Sequence, residues 1–136
     1  MWFKNLRLYR LTDNWTANED QLNEALAQFP FSGLSALQES TFGWVPPFGD
    51  STMLCENVGG RFFMAAQIQE KLLPASVLKE HLDEKVLAVE EAEGRRPGRK
   101  EKEALKEAIR AELLPRAFHK TRRVSLWIDP SRQWLV

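Results

Sequence analysis

The chain has one cysteine, Cys55, so no disulfide can close within it, and this sparing use of cysteine fits a reducing cytoplasm. Cys55, His81 and His119 stand singly, without the CxxC or HxxxH spacing that converges ligands on zinc. There is no Gly-x-Ser-x-Gly, and Cys55 falls in an expected strand, where a thiol is core rather than nucleophile. Gly59-Gly60 is not followed by the Gly-Lys-Ser/Thr of a phosphate loop. No apolar stretch reaches the roughly eighteen residues that cross a bilayer, and Met1-Trp2-Phe3-Lys4-Asn5 is not a signal peptide. Net charge is absent too, with nineteen Lys/Arg against nineteen Asp/Glu. These absences leave a cytoplasmic, membrane-free, non-enzymatic protein without metal or cofactor as the expectation.

What is present is a core and a charge separation. The 136 residues are 43% apolar and include five Trp and eight Phe, which suits a folded domain with a small appendage. Residues 1–94 hold seven basic and fourteen acidic side chains, whereas residues 95–123 hold eleven basic and four acidic ones. A cation cluster that survives in a neutral protein points to a local anionic partner, nucleic acid first. The acidic run Glu90-Glu91-Ala92-Glu93 lies beside arginines at a helix end, so charge pairing or solvation accounts for it without a metal.

Periodicity divides the chain. Phe3–Leu11 reads as a strand. Thr16 caps a helix in a capping box with Glu19; Leu22, Ala25, Leu26 and Phe29 form its apolar face, and Pro30 ends it. Two prolines and two glycines in Phe42–Gly49 dictate a turn or extended bend. Met53–Val58 and Arg61–Gln69 flank Gly59-Gly60 as a hairpin. Pro74 opens a helix carrying Val77, Leu78, Leu82, Val86 and Val89, which Gly94 stops. A second helix, Lys100–Leu114, carries Leu105, Ala108, Ile109 and Leu113 and closes at Pro115. Val124–Ile128 is a strand, Asp129-Pro130-Ser131 a turn, and Gln133–Val136 the start of another strand. The fold class is α+β: an antiparallel sheet with one packed helix and a projecting helical hairpin. Residues 1–73 and 121–136 make the sheet domain, and residues 74–120 the hairpin.

The basic cluster has two parts. Arg95, Arg96, Arg99 and Lys100 sit at the hairpin turn, with Lys102 close by; Arg116, Lys120, Arg122 and Arg123 follow Pro115. Long cations on one surface suffice for phosphate contacts, and no base-reading helix is evident, so DNA binding is expected without sequence preference. Phe118 lies between them, a large ring among cations, and reads either as tucked core or as an anchor in a partner's pocket.

Several blocks resemble one family in order and spacing along the whole chain. They are Trp2–Leu6 with Tyr9-Arg10-Leu11, Gly43–Pro47, Lys71–Pro74, Leu113–Phe118 and Trp127-Ile128-Asp129. Together they resemble the recombination-associated protein RdgC family. The resemblance implies a bacterial, nucleoid-associated protein that binds double-stranded DNA non-specifically, dimerises head to head into a ring with a basic hole, and opposes RecA-driven strand exchange. It also implies a homodimer contact at Phe118, with Leu114 and Pro115 beside it. Members of that family are longer than this chain. The alternative is a protein-interaction module that acts on an RdgC-like or RecA partner without touching DNA.

Overall fold

A computed structural model describes residues 3–136. The six strands form one sheet in the order β1-β6-β5-β4-β2, with β3 pairing β4 beside that path. They are β1 (Tyr9–Arg10), β2 (Ser40–Val45), β3 (Cys55–Val58), β4 (Arg61–Lys71), β5 (His119–Asp129) and β6 (Trp134–Leu135). The pairs β1–β6, β5–β6 and β3–β4 are antiparallel. Three helices complete the α+β fold: α1 (Glu19–Leu26), α2 (Ala75–Glu93) and α3 (Arg99–Leu113). The chain divides into two compact units, one of Met1–Gly33, Thr41–Ile68 and Thr121–Val136, the other of Leu34–Ser40 and Gln69–Lys120.

In the first unit α1 lies on the sheet through Leu22 and Leu26, which pack with Cys55, Phe62, Met64 and Ile128. Asn23 pins the helix to β3: its side-chain amide donates to the Cys55 carbonyl at 2.9 Å and accepts from the Cys55 N–H at 2.8 Å. The helix starts two residues later than the sequence suggests. Asn18, not Thr16, is the N-cap, and the capping box closes with Gln21 at 2.8 and 2.9 Å. Glu19 instead accepts from the Asn57 N–H, which ties α1 to β3 again.

Strand boundaries moved where partners, not periodicity, decide them. Of the expected strand Phe3–Leu11 only Tyr9 and Arg10 pair, opposite Leu135 and Trp134. Among the described residues, residues 3–8 find no strand partner, and Trp2 lies outside them. Met53 is kept out of β3 by a turn in which its N–H donates to Ser51 Oγ at 3.0 Å. The Phe42–Gly49 bend is extended over its first half, as β2. Gly43 is obligatory there. A Cβ would lie 2.7 Å from the Pro30 carbonyl carbon and closer still to Phe31, because Phe31 N–H bonds the Trp44 carbonyl at 2.9 Å. Gly59 and Gly60 both take positive φ, 62° and 81°, in the two-residue turn joining β3 to β4.

The second unit has a thinner core. Leu78, Ile109 and Leu114 are its buried apolar side chains among α2, α3 and the 3₁₀ turn Leu114–Arg116. Gly94 ends α2 in the left-handed region at φ 66°, its N–H returning to the Glu90 carbonyl at 2.9 Å. Arg110 of α3 reaches Glu39, whose carboxylate holds the guanidinium charged and raises its pKa further.

Candidate nucleic-acid interface

The hairpin turn is charge-balanced. Between residues 90 and 103 five basic side chains face five acidic ones. Arg95 is held hardest. It donates to both oxygens of Glu101 at 2.9 and 3.1 Å and pairs with Glu93 at 2.7 Å. The hydrogen bond from Arg95 in turn holds the Glu101 carboxyl below its ordinary pKa. Arg96 approaches Glu90 at 3.6 Å and Arg99 approaches Glu103 at 3.8 Å, the two arginine side chains 90% and 94% exposed. Such exposed pairs are weak, so Arg96 and Arg99 are loosely engaged while Arg95 is committed. Lys100 is exposed and has no carboxylate within 4 Å among the described residues.

The stretch after Pro115 is different. Residues 113–128 contain Arg116, Lys120, Arg122 and Arg123 and no Asp or Glu. Among the described residues none of these four forms an ion pair. Arg116 and Lys120 are exposed in the second unit, Arg122 and Arg123 in the first. Arg123 is nevertheless occupied: its Nη2 donates to the carbonyls of Pro46 and Pro47 at 2.8 and 2.7 Å. It braces the turn after β2, and that bond could not be read from residues more than seventy positions apart.

Phe118 is 84% exposed, so its ring is not tucked into the second unit, although its carbonyl accepts from the Leu72 N–H at 2.7 Å. Leu72 beside it is also exposed. Leu114 is buried in its own unit, whereas Pro115 is exposed. Cys55 is wholly buried, and burial pushes its thiol pKa up to about 11, which keeps it protonated and inert. Among the described residues no group of three or more His, Cys, Asp or Glu is placed to hold a metal ion, and no helix is long and apolar enough to cross a membrane.

The chain as a whole is similar to known proteins. The family model described as "Putative exonuclease, RdgC" matches residues 1–136. The chain belongs to the RdgC family. Curated relatives named Recombination-associated protein RdgC include those of Tolumonas auensis and Aeromonas hydrophila, each 42% identical over 137 aligned residues. The relative from Bordetella pertussis is 38% identical over 136. All of this chain is covered but 45% of each relative, so it spans about half the length of the RdgC proteins it matches. Gly43, which the close approach of Phe31 requires, sits within one of the blocks that carry the RdgC resemblance.

Proposed function

We propose that this chain is a non-enzymatic, cytoplasmic DNA-binding part of an RdgC-type protein that modulates RecA-dependent recombination. It would contact duplex phosphates without reading bases. The observation that carries the reading is the stretch 113–128, with four cations and no carboxylate, none of whose cationic side chains forms an ion pair among the described residues. Arg116, Lys120 and Arg122 are therefore the foremost phosphate contacts, with Lys100, Arg96 and Arg99 next and Arg95 last. Anisotropy of a labelled duplex should show affinity falling steeply with salt. Arg116→Glu with Lys120→Glu should flatten that slope by about 2, at roughly 0.9 per contact. A salt-insensitive affinity rejects the phosphate account. Incubating the chain with labelled DNA and magnesium or manganese tests the exonuclease activity in the family's description; released mononucleotides would overturn the non-enzymatic reading.

A second reading rests on Phe118. A ring 84% exposed is the kind of side chain that anchors a partner, a second copy of the chain first. Light scattering at high concentration should show a dimer that Phe118→Ala dissociates without loss of helicity. If wild type and variant are both monomers, the self-association fails.

A further inference from the structure

One edge of β5 is open in the first unit. β6 lies between β1 and β5, and its register with β5 covers only Ile128 and Asp129. Val136 adds one more pair with Trp127, its N–H donating at 2.9 Å and its carbonyl accepting at 3.1 Å. β5 itself extends back from there to His119. In an antiparallel ladder every second residue turns both of its backbone groups to the same neighbour. Trp127 turns toward β6, so Ser125 and Arg123 turn to that side too, and among the described residues no strand lies opposite them. An edge of this kind is a template for another strand.

A groove of about 800 Å³ occupies that place, with β5 on one side, the segment 3–9 on the other and Val136 among its lining residues. By strand alternation Val124 and Leu126 share the face of Ile128, which packs under α1, and Leu135 extends this aliphatic floor. Ser125 and Arg123 share the opposite face with Trp127. The rims are cationic. Lys4 and Arg7 stand on one, Arg122 and Arg123 on the other, and no Asp or Glu lines the groove. The bonds from Arg123 Nη2 to the Pro46 and Pro47 carbonyls fix this part of β5 in place.

Together these features specify a partner. Backbone groups at an open edge take a strand, an aliphatic floor takes apolar side chains at alternate positions, and cations without carboxylates take acidic side chains between them. Nucleic acid would meet the cations, but a base stacks on a ring or a guanidinium plane, and Val124, Leu126 and Leu135 provide neither. A second copy presenting the same groove brings the same cations and is repelled. We infer that the groove accepts an extended acidic peptide from another polypeptide, added to the sheet antiparallel to β5 and in line with β6. Its apolar residues lie over Val124 and Leu126, and its acidic residues stand opposite Ser125 and Arg123. This polypeptide site is independent of the nucleic-acid reading.

The test is anisotropy of a fluorescein-labelled peptide of alternating valine and glutamate with the whole chain. The peptide should bind, and one of alternating valine and lysine should not. In the inferred register the glutamate N–H groups face β5 and the valine N–H groups face away from it. N-methylation of the glutamates should therefore weaken binding about tenfold or more, whereas N-methylation of the valines should leave it within about threefold. Lys4→Glu with Arg7→Glu should weaken it about tenfold. Val124→Lys adds a cation but removes part of the aliphatic floor, so it should weaken the acidic peptide about fivefold. Tighter binding by that variant would mean that charge alone holds the peptide, which overturns the strand. Equal effects of the two N-methylated peptides overturn it as well, and are what a surface made for nucleic acid would give. Circular dichroism checks that each variant is folded. Failure of the wild type to bind the peptide overturns the site outright. If the Phe118→Ala chain then remains a dimer by light scattering, a second copy is the occupant.

Discussion

The two basic regions look alike in composition and differ in what surrounds them. At the hairpin turn each of Arg95, Arg96 and Arg99 has a carboxylate from α2 or α3. From residue 113 to 128 no carboxylate exists to provide one. A count of cations therefore overstates the hairpin and understates the strand. What a phosphate feels is the cation less its own partner, and on that measure the entry to β5 is the more electropositive of the two. The units differ in the same way. The first is held by packing around Phe62 and Met64, the second by a few buried apolar side chains on a heavily charged hairpin.

The largest expected effect breaks the second unit and spares the first. Ile109→Ala, at a site 4% exposed, should cost about 3 kcal/mol, because its unit has few other buried apolar side chains, Leu78, Pro97 and Leu114, with which to fill the cavity. Leu87→Ala, on the exposed side of α2, should change stability by less than about 0.5 kcal/mol. Urea titrations followed by circular dichroism read both. Equal losses would mean that the hairpin has no distinct inner face.

Next in size is the charge comparison itself. Arg116→Glu with Lys120→Glu should lower duplex affinity on the order of 100-fold at low salt. Arg95→Glu with Arg96→Glu and Arg99→Glu reverses three cations, yet should cost about tenfold or less, since partnered arginines release fewer counterions on binding. Should the triple reversal prove the more damaging, carboxylate pairing at the turn is irrelevant to binding and the comparison fails.

How much of this was legible follows from where each signal lives. Pro74, Gly94, Pro115 and the Gly59-Gly60 turn marked their boundaries because proline and left-handed glycine act locally. The Arg99–Glu103 pair is an i,i+4 contact and could be read from spacing. The Arg95–Glu101 pair could not, since it depends on how the chain turns between Gly94 and α3. The first half of β5 was missed because His119–Arg123 carry no apolar alternation; pairing alone makes them a strand. Arg7 and Lys4 read as the polar positions of a strand, and only the fold brings them to Arg122 and Arg123.

Gly43 sharpens the contrast between packed and charged units at a smaller scale. Gly43→Ala places a methyl against the backbone of Pro30 and Phe31, neither of which can rotate away. A loss of about 2 kcal/mol is expected, as for overpacking elsewhere. Gly49→Ala is the control, because nothing lies within 4 Å of its added carbon. Thermal melts of the two variants should separate; coincident melts would mean that β2 is free to shift away from Phe31.

The smallest effect is the pH dependence that Asp129 contributes in the packed unit. Asp129 is buried, and the Ser131 hydroxyl, the Arg132 N–H and Arg61 hold its carboxyl below the ordinary value. A folded pKa below the unfolded one means that the unfolded chain binds the proton more tightly. The contribution of Asp129 is thus complete above the ordinary carboxylate pKa of about 3.9 and is lost as pH falls through the folded value. Glu101 at the hairpin is depressed in the same direction by Arg95, so acid weakens both units and the bare pH profile cannot assign the loss. The difference between wild type and Asp129→Asn can, because the Glu101 contribution is common to both and cancels. Urea midpoints of the pair should stand apart at pH 6 and converge below about pH 4. A gap that stays constant into acid would show that Asp129 stabilises the β5–β6 turn by hydrogen bonding alone, with its charge contributing nothing.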